Sequence, residues 1–198
     1  ELVDLIEIEK KDIFVEIGPG TGNLTELIIN RSTSCTSVEI DRNLVPLLEK
    51  RFKNIKSFKL INRDILSFNI NTISEGEKSI RIAGNLPYNL SSPILEWSIK
   101  NINTIIDMHF MLQKEFAERC AGNENSKSYG KLSVICDYLF EVSILKDVDK
   151  SFFIPPPKVD SAFVRFKPKR KTFKEIEFVN LKKILNLLFN AKRKKIKK

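Results

Sequence analysis

Short apolar runs alternate with amphipathic stretches along almost the whole chain. "DIFVEIG" (12–18) has the length and apolar content of a buried strand, and glycines follow it. "NLTELII" (23–29) sets Leu24, Leu27 and Ile28 on one helical face. "CTSVEID" (35–41) predicts a second strand. "NLVPLLEKRF" (43–52) predicts a helix, with Asn43 as its cap and Pro46 in the first turn, where a missing N–H is tolerated. "SFKLINRDI" (57–65) and "SIRIAGN" (79–85) read as the third and fourth strands. "SPILEWSIKN" (92–101) starts a helix with Ser92 ahead of Pro93. "TIIDMHFMLQ" (104–113) is a fifth strand, and "KEFAERCA" and "GKLSVICDYLF" are helical. "EVSILKDV" and "SAFVRFKP" are two late strands joined by a proline-rich loop. Strands alternating with helices predict an α/β fold: a mainly parallel, doubly wound sheet of seven strands with helices on both faces. From residue 174 the pattern is helical and basic and reaches the end with no stop signal.

Composition narrows the class. At 198 residues, with 42% hydrophobic and 30% charged, the chain has room for one globular domain and an appendage. No apolar run approaches the length of a membrane span, and no signal peptide opens the chain, so a membrane role is not expected. Cys35, Cys120 and Cys136 are odd in number and lack metal spacing; they read as reduced thiols of an intracellular protein, with no metal expected. His109, the lone histidine, sits in an apolar run and reads as a strand residue rather than a catalyst. The net charge of +9 is uneven. Residues 165–198 hold 14 basic residues against Glu175 and Glu177, or +12, which leaves −3 for the first 164. That tail is either a solvated end or a phosphate-binding surface.

The candidate chemistry gathers at strand ends. "EIGPGTGNLT" places Gly18, Gly20 and Gly22 between the first strand and the first helix, where backbone amides can approach a ligand. The spacing is G-x-G-x-G, not the G-x-G-x-x-G of dinucleotide enzymes, which weighs against a nicotinamide oxidoreductase. Glu39 closes the second strand, where a carboxylate can accept both hydroxyl hydrogens of a ribose. Asp64 closes the third and can receive an adenine amino hydrogen. Either acid alone reads as an ordinary cap; together with the glycines they indicate an adenosyl ligand. At the fourth strand end stands "NLPY". Asn85 can accept one hydrogen of an exocyclic amine through its side-chain oxygen, and the Leu86 carbonyl, held extended by Pro87, can accept the other. Tyr88 can stack on the base, a contact worth roughly 1–3 kcal/mol. Positioning of this kind can supply catalysis without a conventional base.

The stretch "GNLPYNLSSPIL" resembles motif IV of adenine-N6 methyltransferases, and "EIGPGTGNLT", "VEID" and "NRDI" resemble their cofactor motifs. "FFIPPPKVDSAFVRF" and "SYGKLSV" resemble signatures of the ribosomal RNA adenine dimethyltransferase family, over nearly the whole chain. "VDSA" and "NLPYN" look more like the small-subunit enzyme than its antibiotic-resistance cousins. The resemblance implies a Rossmann-like class I methyltransferase domain over residues 1–168 and the start of a basic helical C-terminal domain over 169–198. It implies S-adenosylmethionine as cofactor, held by Gly18, Gly20, Gly22, Glu39, Ile40, Asp64, Ile65 and Asn85. Asn85, Leu86, Pro87 and Tyr88 would frame a flipped adenine, with Phe153, rather than Phe152, on its other face. Lys158 either touches RNA phosphate or is solvated. The expected activity is dimethylation of adjacent adenines in small-subunit ribosomal RNA by a cytoplasmic monomer acting on a ribosomal precursor. The alternatives are a large-subunit enzyme of the antibiotic-resistance type and a non-catalytic assembly factor on the same fold. The chain opens after the Gln-rich segment the family carries ahead of its first helix, and its end resembles only the first helix of the C-terminal domain, so a truncated chain is expected.

Overall fold

The computed structural model describes residues 2–74, 79–169 and 174–190. The strands are β1 (Ile13–Ile17), β2 (Ser34–Glu39), β3 (Phe58–Asn62), β4 (Ile80–Asn85), β5 (Ile105–Gln113), β6 (Phe140–Val148) and β7 (Ser161–Pro168). They form one sheet in the order β3-β2-β1-β4-β5-β7-β6. The pairs among β1 to β5 are parallel, and β7 runs antiparallel between β5 and β6. The chain steps outward from β1 to β3, then returns to lay β4 on the other side of β1. That reversal opens a crevice at the carboxyl ends of β1 and β4.

Alternation within each strand builds a core on both faces. In β1, Val15 and Ile17 join one cluster and Phe14 the other. The larger core takes side chains from α3 (Ser91–Lys100), α4 (Lys114–Ala121), α5 (Lys131–Leu139) and α6 (Glu175–Asn190). The smaller takes Ile28 and Ile29 of α1 (Asn23–Ile29) and Leu48 of α2 (Val45–Arg51). Phe178 and Leu185 of α6 are buried in the larger core. No helix among the described residues is long and apolar enough to cross a membrane.

Local details depart from the sequence pattern. The inward face of α1 is Thr25, Ile28 and Ile29, with Leu24 and Leu27 only half-buried. Thr25 turns inward because its hydroxyl donates to the buried Glu16 at 2.6 Å. Asn43 does not cap α2: its backbone and side-chain N–H groups both donate to Asp41 Oδ1, and Leu44 takes the cap position. α3 begins at Ser91, so Pro93 still falls in the first turn. β3 ends at Asn62, and Asp64 instead caps a short 3-10 turn over Ile65–Ser67.

At the opposite end of the sheet, Arg81 of β4 donates to both carboxylate oxygens of Asp107 at 2.8 Å. It also donates to Asp12 at 2.6 Å and to the carbonyls of Ile6 and Glu7. This buried fork ties the N-terminal 3-10 turn (Leu2–Ile6) to β4 and β5 at the amino end of the parallel strands.

Candidate active site

Register alone aligns the site. Ile17 pairs with Val38 on one side and with Gly84 on the other. The next residues along these strands are Gly18, Glu39 and Asn85, which therefore form a row across three strands. Glu39 pairs in turn with Asn62, and Asn85 with Met111. At Gly84 a Cβ would lie 2.7 Å from the Ile17 carbonyl oxygen, so only glycine lets β4 close on β1 here.

Beside the glycine turn a buried acid, which the sequence pattern does not single out, ties α1 to β2. Glu16 is 1% exposed and accepts hydroxyl hydrogens from Thr25 at 2.6 Å and Ser37 at 2.7 Å. Burial raises its carboxyl above the usual range, against the pull of those two donors. The signal was a carboxylate inside the apolar run "FVEI". Gly18, Gly20 and Gly22 all have left-handed φ, at 64°, 58° and 89°. Gly22 opens α1, and a Cβ there would meet the Phe52 ring at 2.6 Å. At Gly18 and Gly20 no atom lies within 4 Å of where a Cβ would be, so their backbone borders open space.

Glu39 Oε2 accepts the Gly20 N–H at 3.4 Å and Oε1 accepts the Asp41 N–H at 2.8 Å. Each oxygen keeps a lone pair for a ribose hydroxyl. Ile40 follows at 63% exposure, an apolar surface beside the crevice. Asp64 Oδ1 accepts the Leu66 N–H, which makes it a cap and leaves Oδ2 for another donor. Ile65 turns its side chain into the core at 6% exposure, so toward the crevice it can offer backbone only. This donor and acceptor set fits an adenosyl ligand.

Asn85 is exposed at the end of β4, while Leu86 behind it is buried and donates its N–H to the Met111 carbonyl. Asn85, Leu86, Pro87 and Tyr88 line an open cleft of about 260 Å³ together with Phe153, Pro155 and Pro157. Of the adjacent phenylalanines, Phe153 is half-buried against the smaller core and Phe152 is 81% exposed. The Tyr88 hydroxyl shares a 2.8 Å hydrogen bond with Ser161 Oγ, a second residue whose part the sequence did not disclose. Lys158 lies apart from this cleft, in a pocket with Lys114, Lys150 and Asp160. A larger cleft of about 910 Å³ lies between α4 and the start of α5. It holds Tyr129 and Lys131 of "SYGKLSV" but none of the residues expected to bind cofactor or base. Volume alone would select the larger cleft; the convergence of acceptors and rings selects the smaller one.

Residues 1–198 match the family model for ribosomal RNA adenine dimethylases. The chain belongs to that family. It is 44% identical over 170 residues to ribosomal RNA small subunit methyltransferase A of Francisella tularensis, covering 85% of this chain. It spans 65% of the length of that relative. Among solved structures, a dimethyladenosine transferase from Plasmodium falciparum superposes with a TM-score of 0.82 at 29% identity, over 98% of this chain and 69% of the other. The 23S rRNA methyltransferase ErmE gives 0.79 at 26% identity, over 96% and 75%. The fold is that of the class I methyltransferases, with the glycine turn, Glu39 at the end of β2, Asp64 just beyond β3 and the aromatic cleft along one edge of the sheet.

Proposed function

We propose that this chain is the catalytic part of an enzyme that dimethylates the N6 amines of adjacent adenines in small-subunit ribosomal RNA. The observation that carries the reading is the single cleft in which the exposed amide of Asn85, the Leu86–Pro87 turn and the rings of Tyr88 and Phe153 meet. It adjoins the row of Gly18, Glu39 and Asn85. Glu39 would hold the ribose of S-adenosylmethionine, Ile40 and Asp64 its adenine, and Gly18 and Gly20 would let it lie close to the backbone. Bound there, the cofactor supplies an electrophilic methyl group on a sulfonium. The protein's own work is orientation. Asn85 Oδ1 and the Leu86 carbonyl would accept the two amine hydrogens and draw them out of the ring plane to one side, which pyramidalises the nitrogen and turns its lone pair out of conjugation toward the methyl. Tyr88 and Phe153 hold the ring between them, and the extruded or unpaired base replaces lost stacking with theirs.

The same proposal divides the chain at residue 168, with α6 leading into a helical domain. Ile176, Ile184 and Leu187 on its outer side are exposed, which supports a further layer packing there. The three buried thiols support a reducing compartment, the cytoplasm, and we infer a monomer. The deciding experiment incubates the protein and S-adenosylmethionine with unmethylated small and large ribosomal subunits in parallel and maps the modified adenosines. Paired dimethyladenosines in small-subunit RNA are expected. Methylation confined to large-subunit RNA would replace the substrate, and binding without transfer would replace the enzyme by an assembly factor.

A further inference from the structure

Two neighbouring residues connect the opposite walls of the aromatic cleft. Ser161 is fully buried and is the first residue of β7. It is paired with Gln113 of β5 on one side and Val148 of β6 on the other, so its backbone is fixed by the sheet. Its hydroxyl bonds the Tyr88 hydroxyl, and Tyr88 itself sits outside the sheet in a 3-10 turn. Asp160 precedes it. The Asp160 carbonyl accepts the Lys114 N–H at 3.0 Å, and its Oδ1 accepts the Lys150 N–H at 3.2 Å. Lys150 opens the turn that ends at Phe153, whose N–H donates to the Lys150 carbonyl at 3.2 Å. One ring is thus tethered through Ser161 and the other through Asp160, both to the same point of the sheet.

We propose that Asp160 and Ser161 are positioning residues that set the spacing of the two rings, and that this spacing sustains the second methyl transfer. The inference rests on the reading above. In each transfer the N6 lone pair forms the new N–C bond. The S–C bond breaks with its electron pair left on sulfur, and the amine loses one proton to water. A primary amine offers two N–H groups to Asn85 and Leu86, but the monomethyl product offers one. Half of the hydrogen-bond orientation is then gone, and the ring walls carry more of it. Loosening a wall should therefore slow the second transfer more than the first.

The test compares Ser161→Ala, Tyr88→Phe and the double variant with the unsubstituted protein on unmethylated small subunits, reading the ratio of monomethyl- to dimethyladenosine. Each single variant should raise that ratio about threefold to tenfold, the worth of one hydrogen bond. The double variant should do no more than either single, because both remove the same contact. A second readout needs no cofactor: quenching of 2-aminopurine in a short single-stranded RNA reports stacking between the rings, and saturating quench should fall in all three variants. Tyr88→Phe changes a half-buried turn outside the sheet and decides the matter if Ser161→Ala does not fold. Unchanged ratios and unchanged quench would overturn the inference alone. Absence of dimethyladenosine with the unsubstituted protein would overturn it together with the function proposed above.

Discussion

Asn85 ends a strand whose preceding five residues are all buried, so its exposed amide is placed by the rigidity of β4 and needs no loop to hold it. The residue therefore contributes little to the core and much to the cleft. Replacing it with alanine should change stability by no more than about 0.5 kcal/mol, as for most exposed positions. The same change removes the only side-chain acceptor proposed for the target amine. Loss of one aligned polar partner at a reacting centre commonly costs about 100-fold or more in kcat. Steady-state methyl transfer beside a thermal melt separates the two effects. Near-normal turnover from a folded Asn85→Ala protein would refute its role.

At the scale of elements, β5 carries a titration built into its burial. His109 is 1% exposed, and neither ring nitrogen finds a hydrogen-bond partner among the described residues. Burial lowers its pKa from 6.5 to about 4; Asp107, 3.8 Å from Nδ1, opposes the shift, while Arg81 and Arg165 reinforce it. The unfolded imidazole binds a proton near pH 6.5 and the folded one only near 4. Between those values the unfolded chain holds more protons, so stability is fully present above pH 6.5 and declines as the pH falls. The loss approaches about 3 kcal/mol by pH 4. His109→Leu should flatten the wild-type profile between pH 6.5 and 4.5, measured as unfolding free energy in denaturant; parallel profiles would show that His109 does not titrate on unfolding. That His109 lies in a strand was legible, because the apolar period of residues 104–113 is local. So were all seven strands and the row of strand-end residues, since parallel order brings those ends to one edge. The cap of α2 was not, because Asp41 fixes Asn43 through its backbone and side-chain N–H groups one position ahead of the cap, which Leu44 takes instead. Nor were Glu16 and Ser161, whose partners include Ser37 and Tyr88, 21 and 73 residues away in sequence. Propensity and period register near neighbours; a buried hydrogen bond between distant segments leaves only an out-of-place polar residue as its trace.

Charge acts on the whole molecule. The first 164 residues sum to −3 and the last 34 to +12, so any long-range pull on a polyanion comes from one end. Part of that end, including Lys192, Arg193, Lys194 and Lys195, lies outside the described residues, and its effect is read in solution. An RNA that displaces counterions along these side chains gains affinity that weakens with salt in proportion to the contacts made. Exchanging the four for glutamine should lower affinity for small-subunit RNA and reduce the slope of log K against log salt by about 3, from roughly 0.7 per contact on single strands. Fluorescence titrations across a salt series measure it. An unchanged slope would show that these four charges stay solvated and that the grip on RNA lies elsewhere in the chain.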